Sequence, residues 1–182
     1  MLIDEAGPQS PATVAGSRWK IVTDTVMGGV SRASLTVETL AGRPALRMTG
    51  DVCLEHRGGF IQMALDLGGE ARQFDASGFH GIELCVLGNG ETYGVHLRTL
   101  DLRHPWESYR HPFTAGPHWQ TLKLPFTEFV AHRCTLPFDP RRLRRLGLVA
   151  IGRAFHADLG LSRLAFYQGP WSTLSCQHRG GS

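Results

Sequence analysis

The chain has 182 residues, which suits one domain with short extensions at most. Hydrophobic residues make up 42% of it and charged residues 19%, so it can bury a core and is not a disordered polyelectrolyte. The net charge of +3 is too small to predict a nucleic-acid partner, and no apolar run approaches the ~18 residues of a membrane span.

The two ends of the chain carry weak structural signals. Both are poor in large apolar residues, so we predict a flexible arm at 1–16, one domain at 17–170 and a flexible tail at 171–182. From the residues at the beginning of the chain we expect neither a secretory signal nor a transit peptide. The four cysteines form no Cys-x-x-Cys pair and fit a reduced, cytoplasmic protein. They are Cys53, Cys85, Cys134 and Cys176.

Apolar side chains alternate with polar or small ones along five segments. This alternation predicts strands that bury one row of side chains and present the other row to water or a ligand. The five segments are 46–54, 61–67, 82–86, 93–98 and 121–124. Two later segments, 146–151 and 161–167, are almost uniformly apolar, and we expect them to be central strands covered on both faces.

Helical periodicity is scarce between these strands. One or two helical turns are predicted at 126–132, and another at 139–142 with Asp139 as its N-cap. About ten short strands separated by glycine-rich turns predict an all-β fold. We therefore expect an antiparallel β-sandwich or jelly roll with one or two short helices.

Motifs of catalysis and metal binding are missing from the sequence. It contains neither a Gly-x-Ser-x-Gly elbow nor a His-Glu-x-x-His helix, so we expect no catalytic reaction and no cofactor. Histidine and cysteine pair at 132–134 and 176–178, but the spacing is unlike that of zinc sites, and we expect no metal there. The glycines at 88–90 precede a predicted strand, which favours a hairpin over a nucleotide-binding loop.

Candidate binding residues come from the polar rows of the predicted strands. They are Gln62, His96, Arg98, Trp119 and Lys123, and we expect Tyr109 to lie nearby. If their strands are neighbours, one sheet face presents an aromatic ring, a guanidinium, an imidazole and an amide. Such a mixture binds sugars and planar polar ligands through stacking and forked hydrogen bonds. The alternative is an ordinary polar outer face with Trp119 tucked under a loop.

One segment, Asp-Thr-Val-Met-Gly-Gly-Val-Ser at 24–31, is highly specific. Further segments with supporting order and spacing lie at 54–60, 81–93, 97–99, 109–113 and 119–129. Together they resemble the complex I intermediate-associated protein 30 family over roughly residues 19–167. The resemblance implies a galactose-binding-domain-like β-sandwich, related in shape to carbohydrate-binding modules, with a binding or assembly role and no known reaction.

The resemblance also implies site residues. Two signature loops are expected at Asp24, Met27, Gly28, Gly29 and Ser31, and at Glu55, Gly58, Gly59 and Phe60. Tyr93, Arg98, Tyr109 and Trp119 match family positions on the sheet. We expect Asp24 to accept backbone N–H groups of the turn at 28–29, which is a structural use. The less favoured alternative is a calcium ion held by Asp24 and Glu55.

The chain departs from the family pattern at three places. Asn89 stands where the family often has aspartate, Gln62 and Ala64 replace a serine and an arginine, and Cys134 replaces a glycine. A polar site that relied on those groups is altered here. We expect a bacterial member that binds a protein partner as an assembly or chaperone-like factor. The alternative is a module that binds a carbohydrate or another small ligand.

Overall fold

The computed structural model describes residues 1–7, 17–69 and 73–169. Within these residues, antiparallel strands form two six-stranded sheets that enclose one apolar core. The strands are β1 (Leu2–Glu5), β2 (Trp19–Thr23), β3 (Arg32–Leu40), β4 (Arg43–Val52), β5 (Phe60–Asp66), β6 (Gly81–Gly88), β7 (Thr92–Thr99), β8 (Ser108–Thr114), β9 (Gln120–Pro125), β10 (Val130–His132), β11 (Leu143–Ile151) and β12 (Phe155–Tyr167). The all-β prediction is confirmed.

Each sheet is built around one of the two uniformly apolar segments. Sheet I has the order β3-β4-β12-β6-β9, and β1 also pairs with β12. Sheet II has the order β10-β8-β7-β11-β5-β2. The predicted central strands are therefore β12 and β11, and each has partners on both sides.

The core lies between the sheets and takes the apolar row of each strand. In β5, Ile61, Met63 and Leu65 are fully buried, whereas Gln62 and Asp66 on the other row are partly exposed. The period-two pattern of the sequence thus predicts which side chains face inward. It also leaves the outer face of each sheet to polar residues.

Short 3₁₀ turns are the helical elements of the described residues. They lie at Asp24–Met27, Glu55–Arg57, Phe126–Glu128 and Pro140–Arg142. Asp139 caps the last of them by accepting from the backbone N–H of Arg141, as predicted. The segment predicted as helix at 126–132 is instead one turn followed by β10, because the chain extends to pair with β8. In the described part of the chain no helix is long and apolar enough to cross a membrane.

The N-terminal boundary differs from the prediction. Leu2–Glu5 pairs with the end of β12, and Ile3 lies in the core. The indole N–H of Trp19 donates to the buried carboxylate of Asp4 at 2.7 Å. Burial raises the pKa of Asp4, and the hydrogen bond from Trp19 opposes that rise. Leu2–Glu5 therefore belongs to sheet I, whereas residues 8–16 of the predicted arm and the tail at 171–182 lie outside the described residues.

The residues that the structure describes contain neither a disulfide nor a cluster of side chains suited to bind a metal. Cys53, Cys85 and Cys134 are free thiols. The first His–Cys pair, at 132–134, is described, whereas the second, at 176–178, lies outside the described residues. Across the described residues, no three histidine, cysteine or acidic side chains gather in a way that could hold a metal.

Candidate functional site

Three of the candidate binding residues share the outer face of sheet II. Gln62 lies on β5, and His96 and Arg98 lie on β7, with β11 between the two strands. All three side chains are partly exposed. The polar row expected on this face is therefore present, although it has fewer members than the sequence suggested.

Tyr93 and Tyr109 point into the core instead. Tyr93 is 2% exposed, and its hydroxyl donates to the side-chain oxygen of Asn89 at 2.7 Å. Burial raises the pKa of Tyr93 to about 12. Tyr109 is 1% exposed, and its hydroxyl donates to the carbonyl of Leu136 at 3.1 Å. Both rings stabilise the sandwich and are not on the surface face.

Lys123 belongs to sheet I, because β9 pairs with β6 and not with a strand of sheet II, and Trp119 directly precedes β9. The indole N–H of Trp119 donates to the carbonyl of Leu40 at 3.0 Å, and the ring lies under the guanidinium of Arg43. Lys123 lies 3.8 Å from a carboxylate oxygen of Glu83. The condition for a shared face, that these strands are neighbours, is not met.

Glycines form part of the floor of the sheet II face. A Cβ on Gly147 would lie 2.7 Å from the Oε1 atom of Gln62, and a Cβ on Gly94 would lie 3.1 Å from the Nε2 atom of His96. The side chains of Gln62 and His96 therefore lie against the sheet in space that only glycine leaves open. The side chains that cover this part of the outer face therefore lie close to the backbone of β5, β11 and β7.

Basic groups gather on the same face from β7, β8 and β10. His96 is the cross-strand partner of Arg110, and His132 lies two residues beyond the partner of Arg110 on β10. Burial, followed by the neighbouring Arg110 and His132, lowers the pKa of His96 to about 3. Burial also lowers the pKa of His132, with Arg110 and Arg133 adding to the effect. Both imidazoles are therefore uncharged near neutral pH.

Arg98 anchors the loop between β7 and β8. Its Nη1 atom donates to the carbonyls of Pro105 at 2.6 Å and Glu107 at 3.1 Å. Between these two residues lies Trp106, which is 50% exposed and stacks on His104 at 4.7 Å between ring centroids. Arg98 therefore holds the shape of this loop, and the loop carries a half-exposed tryptophan.

Sequence reasoning did not select Trp106, Arg110 or Arg133. Trp106 lies outside every alternating segment, and a large ring in a loop without a strand to bury it was an available signal. Arg110 follows Tyr109 and takes the opposite face, which the same alternation rule gives once Tyr109 is assigned to the core.

The first signature loop is held by one buried carboxylate. Asp24 is fully buried and accepts hydrogen bonds from the backbone N–H of Ser31 at 2.9 Å, from the Ser31 hydroxyl and from the backbone N–H of Gly59. Burial alone would raise the pKa of Asp24, but these hydrogen bonds outweigh it and the pKa is lowered. The carboxylate therefore stays charged and joins two loops that are 35 residues apart in sequence.

The groups that donate hydrogen bonds to the Asp24 carboxylate differ from those that the sequence led us to expect. The N–H groups of Gly28 and Gly29 donate to backbone carbonyls of the 3₁₀ turn, and the carboxylate binds Ser31 and Gly59 instead. Its oxygens are occupied by N–H and O–H donors, and Glu55 is exposed at the surface. This geometry favours the structural use of Asp24 over the calcium alternative.

Two glycines allow the loops to close around Asp24. A Cβ on Gly29 would lie 2.3 Å from the Cγ atom of Asp24, and a Cβ on Gly58 would lie 2.4 Å from its Oδ2 atom. Gly28 differs, because a Cβ there would meet nothing within 4 Å while its φ is +85°. Gly29 is therefore needed for space and Gly28 for backbone conformation.

Four apolar side chains on these loops point to solvent, and we call them the signature rim. They are Val26, Met27, Val30 and Leu54, with exposed fractions of 71%, 56%, 40% and 52%. The loops that carry them are tied together a second time, because the backbone N–H of Cys53 donates to the Ser31 hydroxyl at 2.9 Å. Among the signature residues, Met27 therefore has no evident use inside the fold. Phe60 is partly buried at the start of β5.

Substituting Gly29 and Gly28 separates the two glycine requirements. Gly29→Ala should destabilise the protein by about 3 kcal/mol or more, since the new methyl group must displace the Asp24 carboxylate from its donors. Gly28→Ala should cost only about 1 kcal/mol, because it meets strain and no clash. Denaturant unfolding of both variants measures the difference, and equal losses would contradict the role given to Asp24.

The protonation of His96 predicts an acid sensitivity. Its pKa is lowered to about 3 in the fold, so the unfolded chain binds the proton more readily. The stability from neutral His96 is therefore complete above about pH 6.5 and declines as the pH falls towards the folded pKa. His96→Gln should lose less stability than the unsubstituted protein between neutral pH and pH ~4. Melting temperatures across this range give the test, and parallel curves would contradict it.

Arg98→Ala tests the anchoring of the loop between β7 and β8. Removing two hydrogen bonds from a charged donor should destabilise the protein by about 2 kcal/mol and speed tryptic cleavage after Arg103. Arg32→Ala on exposed β3 is the matched control and should change neither quantity. An unchanged cleavage rate for Arg98→Ala would mean that Arg98 does not hold the loop.

The chain shares its fold with carbohydrate-binding modules. The family 11 module from Clostridium thermocellum, solved with a β-1,3-1,4-mixed-linked tetrasaccharide, superposes with a TM-score of 0.66 at 10% sequence identity, over 93% of this chain and 98% of that one. The family 30 module of the cellulosomal cellulase Cel9D-Cel44B of Clostridium thermocellum gives 0.54 at 19% identity, over 72% and 82%. An exo-β-agarase gives 0.59 at 10% identity, but only 25% of its chain is covered.

These similarities show the fold alone, which is a galactose-binding-like jelly roll. None of the curated proteins compared with the chain is similar enough to count as a relative. The sequence pattern of the complex I intermediate-associated protein 30 family matches residues 9–162 and confirms the resemblance carried by the signature loops. The chain belongs to the complex I intermediate-associated protein 30 family.

Proposed function

We propose that this domain binds a protein partner through the signature rim and acts as an assembly or chaperone-like factor. The observation that carries the proposal is the exposure of Val26, Met27, Val30 and Leu54 together on two joined loops. Clustered apolar side chains on a protein surface mark sites where another molecule is bound. Methionine suits such a surface, because its unbranched side chain adapts to the shape of a partner.

The rim is presented on a rigid support. Asp24 fixes both loops from inside, and Ser31 adds a bond to the segment before Leu54. A surface that is already ordered loses less conformational entropy when it binds than a mobile one does. The buried carboxylate and the two glycines packed against it, Gly29 and Gly58, thus support a surface feature as well as the fold.

The family name supports a protein as the occupant of the rim. The family is named for association with an intermediate of complex I, which is in keeping with a protein partner. The rim carries apolar groups and no charge of its own. We therefore infer that it receives an apolar segment of a protein subunit.

Carbohydrate binding is the second candidate function. The structural neighbours include carbohydrate-binding modules, and one of these is bound to a tetrasaccharide. Gln62 and His96 offer hydrogen-bonding groups on the sheet II face. The aromatic residues expected there, Tyr93, Tyr109 and Trp119, lie elsewhere, so the stacking platform that sugars favour is reduced. This candidate therefore ranks below the protein partner.

Polar substitution of the rim tests the proposal. Val26→Ser combined with Met27→Ser should leave the melting temperature nearly unchanged, since both side chains are exposed, and should abolish partner capture. Val37→Ser is the matched control, because Val37 is 46% exposed on β3 of sheet I. Affinity capture from the native host is compared by mass spectrometry for the unsubstituted protein and both variants.

A partner recovered by the unsubstituted protein and by Val37→Ser, but lost with the rim variant, supports the proposal. Recovery of the same proteins by all three forms would overturn it. Light scattering over a range of concentrations identifies the case in which the rim binds a second copy of the chain, which would also overturn the proposed partner.

A further inference from the structure

Cationic and imidazole side chains meet at the β10 side of the sheet II face, away from the signature rim. His96 on β7, Arg110 on β8 and His132 on β10 are contributed by three adjacent strands. Arg133 follows directly and lies within electrostatic range of Arg110 and His132. Adjacent strands lie about 5 Å apart, so these groups can contact one small ligand.

The polar atoms of this cluster are largely unused. Arg110 donates from Nε to the hydroxyl of Ser108 at 2.8 Å, while its two Nη atoms have no hydrogen-bond partner among residues 1–7, 17–69 and 73–169. The ring nitrogens of His96 and His132 likewise have none in those ranges. A guanidinium that keeps its fork free offers two parallel N–H donors, which match the geometry of an oxyanion.

Acidic side chains near this face are engaged elsewhere. Asp66 pairs with Arg145 at 2.6 Å, and Glu128 pairs with His111 at 3.1 Å. The carboxylate of Glu107 accepts from backbone N–H groups of its own loop. In the described part of the chain no carboxylate forms an ion pair with Arg110 or Arg133. The partly buried cluster thus holds uncompensated positive charge.

We propose that this cluster is a binding site for an oxyanion, namely a carboxylate, sulfate or phosphate group of a small ligand. Arg110 supplies the forked contact, His96 and His132 supply ring N–H donors on either side, and Arg133 supplies a second charge. An anion would relieve the repulsion between Arg110 and Arg133 and replace the missing carboxylate. This site goes beyond the proposed protein binding and shares no residue with the signature rim.

Next to the cluster, two glycines leave space on the outer face of sheet II in the direction of β5. Gly94 and Gly147 lie beside His96, and the amide of Gln62 lies over Gly147. A ligand larger than a bare ion, such as an acidic sugar, therefore meets an additional hydrogen-bonding group next to the cluster. A free inorganic anion and an acidic sugar share the same recognition chemistry, and the experiment distinguishes them.

Calorimetric titration of the full chain at low ionic strength tests the proposal. The probes are sodium sulfate, inorganic phosphate and galacturonate oligomers, with a neutral β-1,3-1,4-linked tetrasaccharide and sodium chloride as controls. At least one oxyanion should bind saturably with a dissociation constant of about 1 mM or below. Arg110→Gln and the exposed Arg133→Gln should each weaken it about tenfold, whereas Arg32→Gln on sheet I should not change it.

Tighter binding of the galacturonate oligomers supports the site and assigns it to an acidic sugar. Tighter binding of sulfate or phosphate supports it and assigns it to a free or esterified inorganic anion. The proposal is overturned if no oxyanion binds saturably, if the neutral tetrasaccharide binds as tightly, or if Arg32→Gln weakens binding as much as Arg110→Gln. Melting temperatures show whether each variant is folded. If Arg110→Gln does not fold, Arg133→Gln alone tests the site. The rim variant should bind the anion normally, so the two proposals can fail separately.

Discussion

The carboxylate of Asp24 is fully buried, and it keeps its charge because Ser31 and Gly59 donate hydrogen bonds to it. Removing such a charge from water is unfavourable unless donors replace the lost hydration. Satisfying it requires the two loops to approach so closely that only glycine fits at positions 29 and 58. The charge, the donors and the glycines therefore depend on one another, and together they fix one end of the sandwich.

One of the two candidate surfaces follows from the alternation of side chains along the strands, and the other is built from loops. Each strand gives one row of side chains to the core and leaves the other free, so the outer face of sheet II collects polar groups such as His96 and Arg110. The signature rim, by contrast, belongs to loops and is set by Asp24. The rim lies beyond β2 and β5, whereas the basic cluster lies at the β10 side of the sheet. A domain with this layout has room for two molecules at once.

Local patterns in the sequence predicted seven of the strands described here, their inward rows and the two central positions, because these depend on the alternation of neighbouring residues. The patterns did not predict which strands are neighbours. Alternation alone does not separate Trp119, which precedes β9, from His96, although β9 belongs to the other sheet, since pairing is decided by contacts between distant parts of the chain. The same reason hid Gly59 as a donor to Asp24, 35 residues away. The family signature marked the right loops, and only the structure showed which atoms they use.

The position of β12 has a consequence for how the protein is made. Sheet I has β12 at its centre, between β4 and β6, and β12 ends at Tyr167. Both β4 and β6 leave the ribosome long before β12, their common partner. The edge of each strand that pairs with β12 therefore stays unpaired during this part of translation. Sheet I can close only after nearly the whole domain has emerged. Nascent chains that stall before Phe155 would expose the edges of β4 and β6 that β12 covers, and unpaired strand edges favour aggregation.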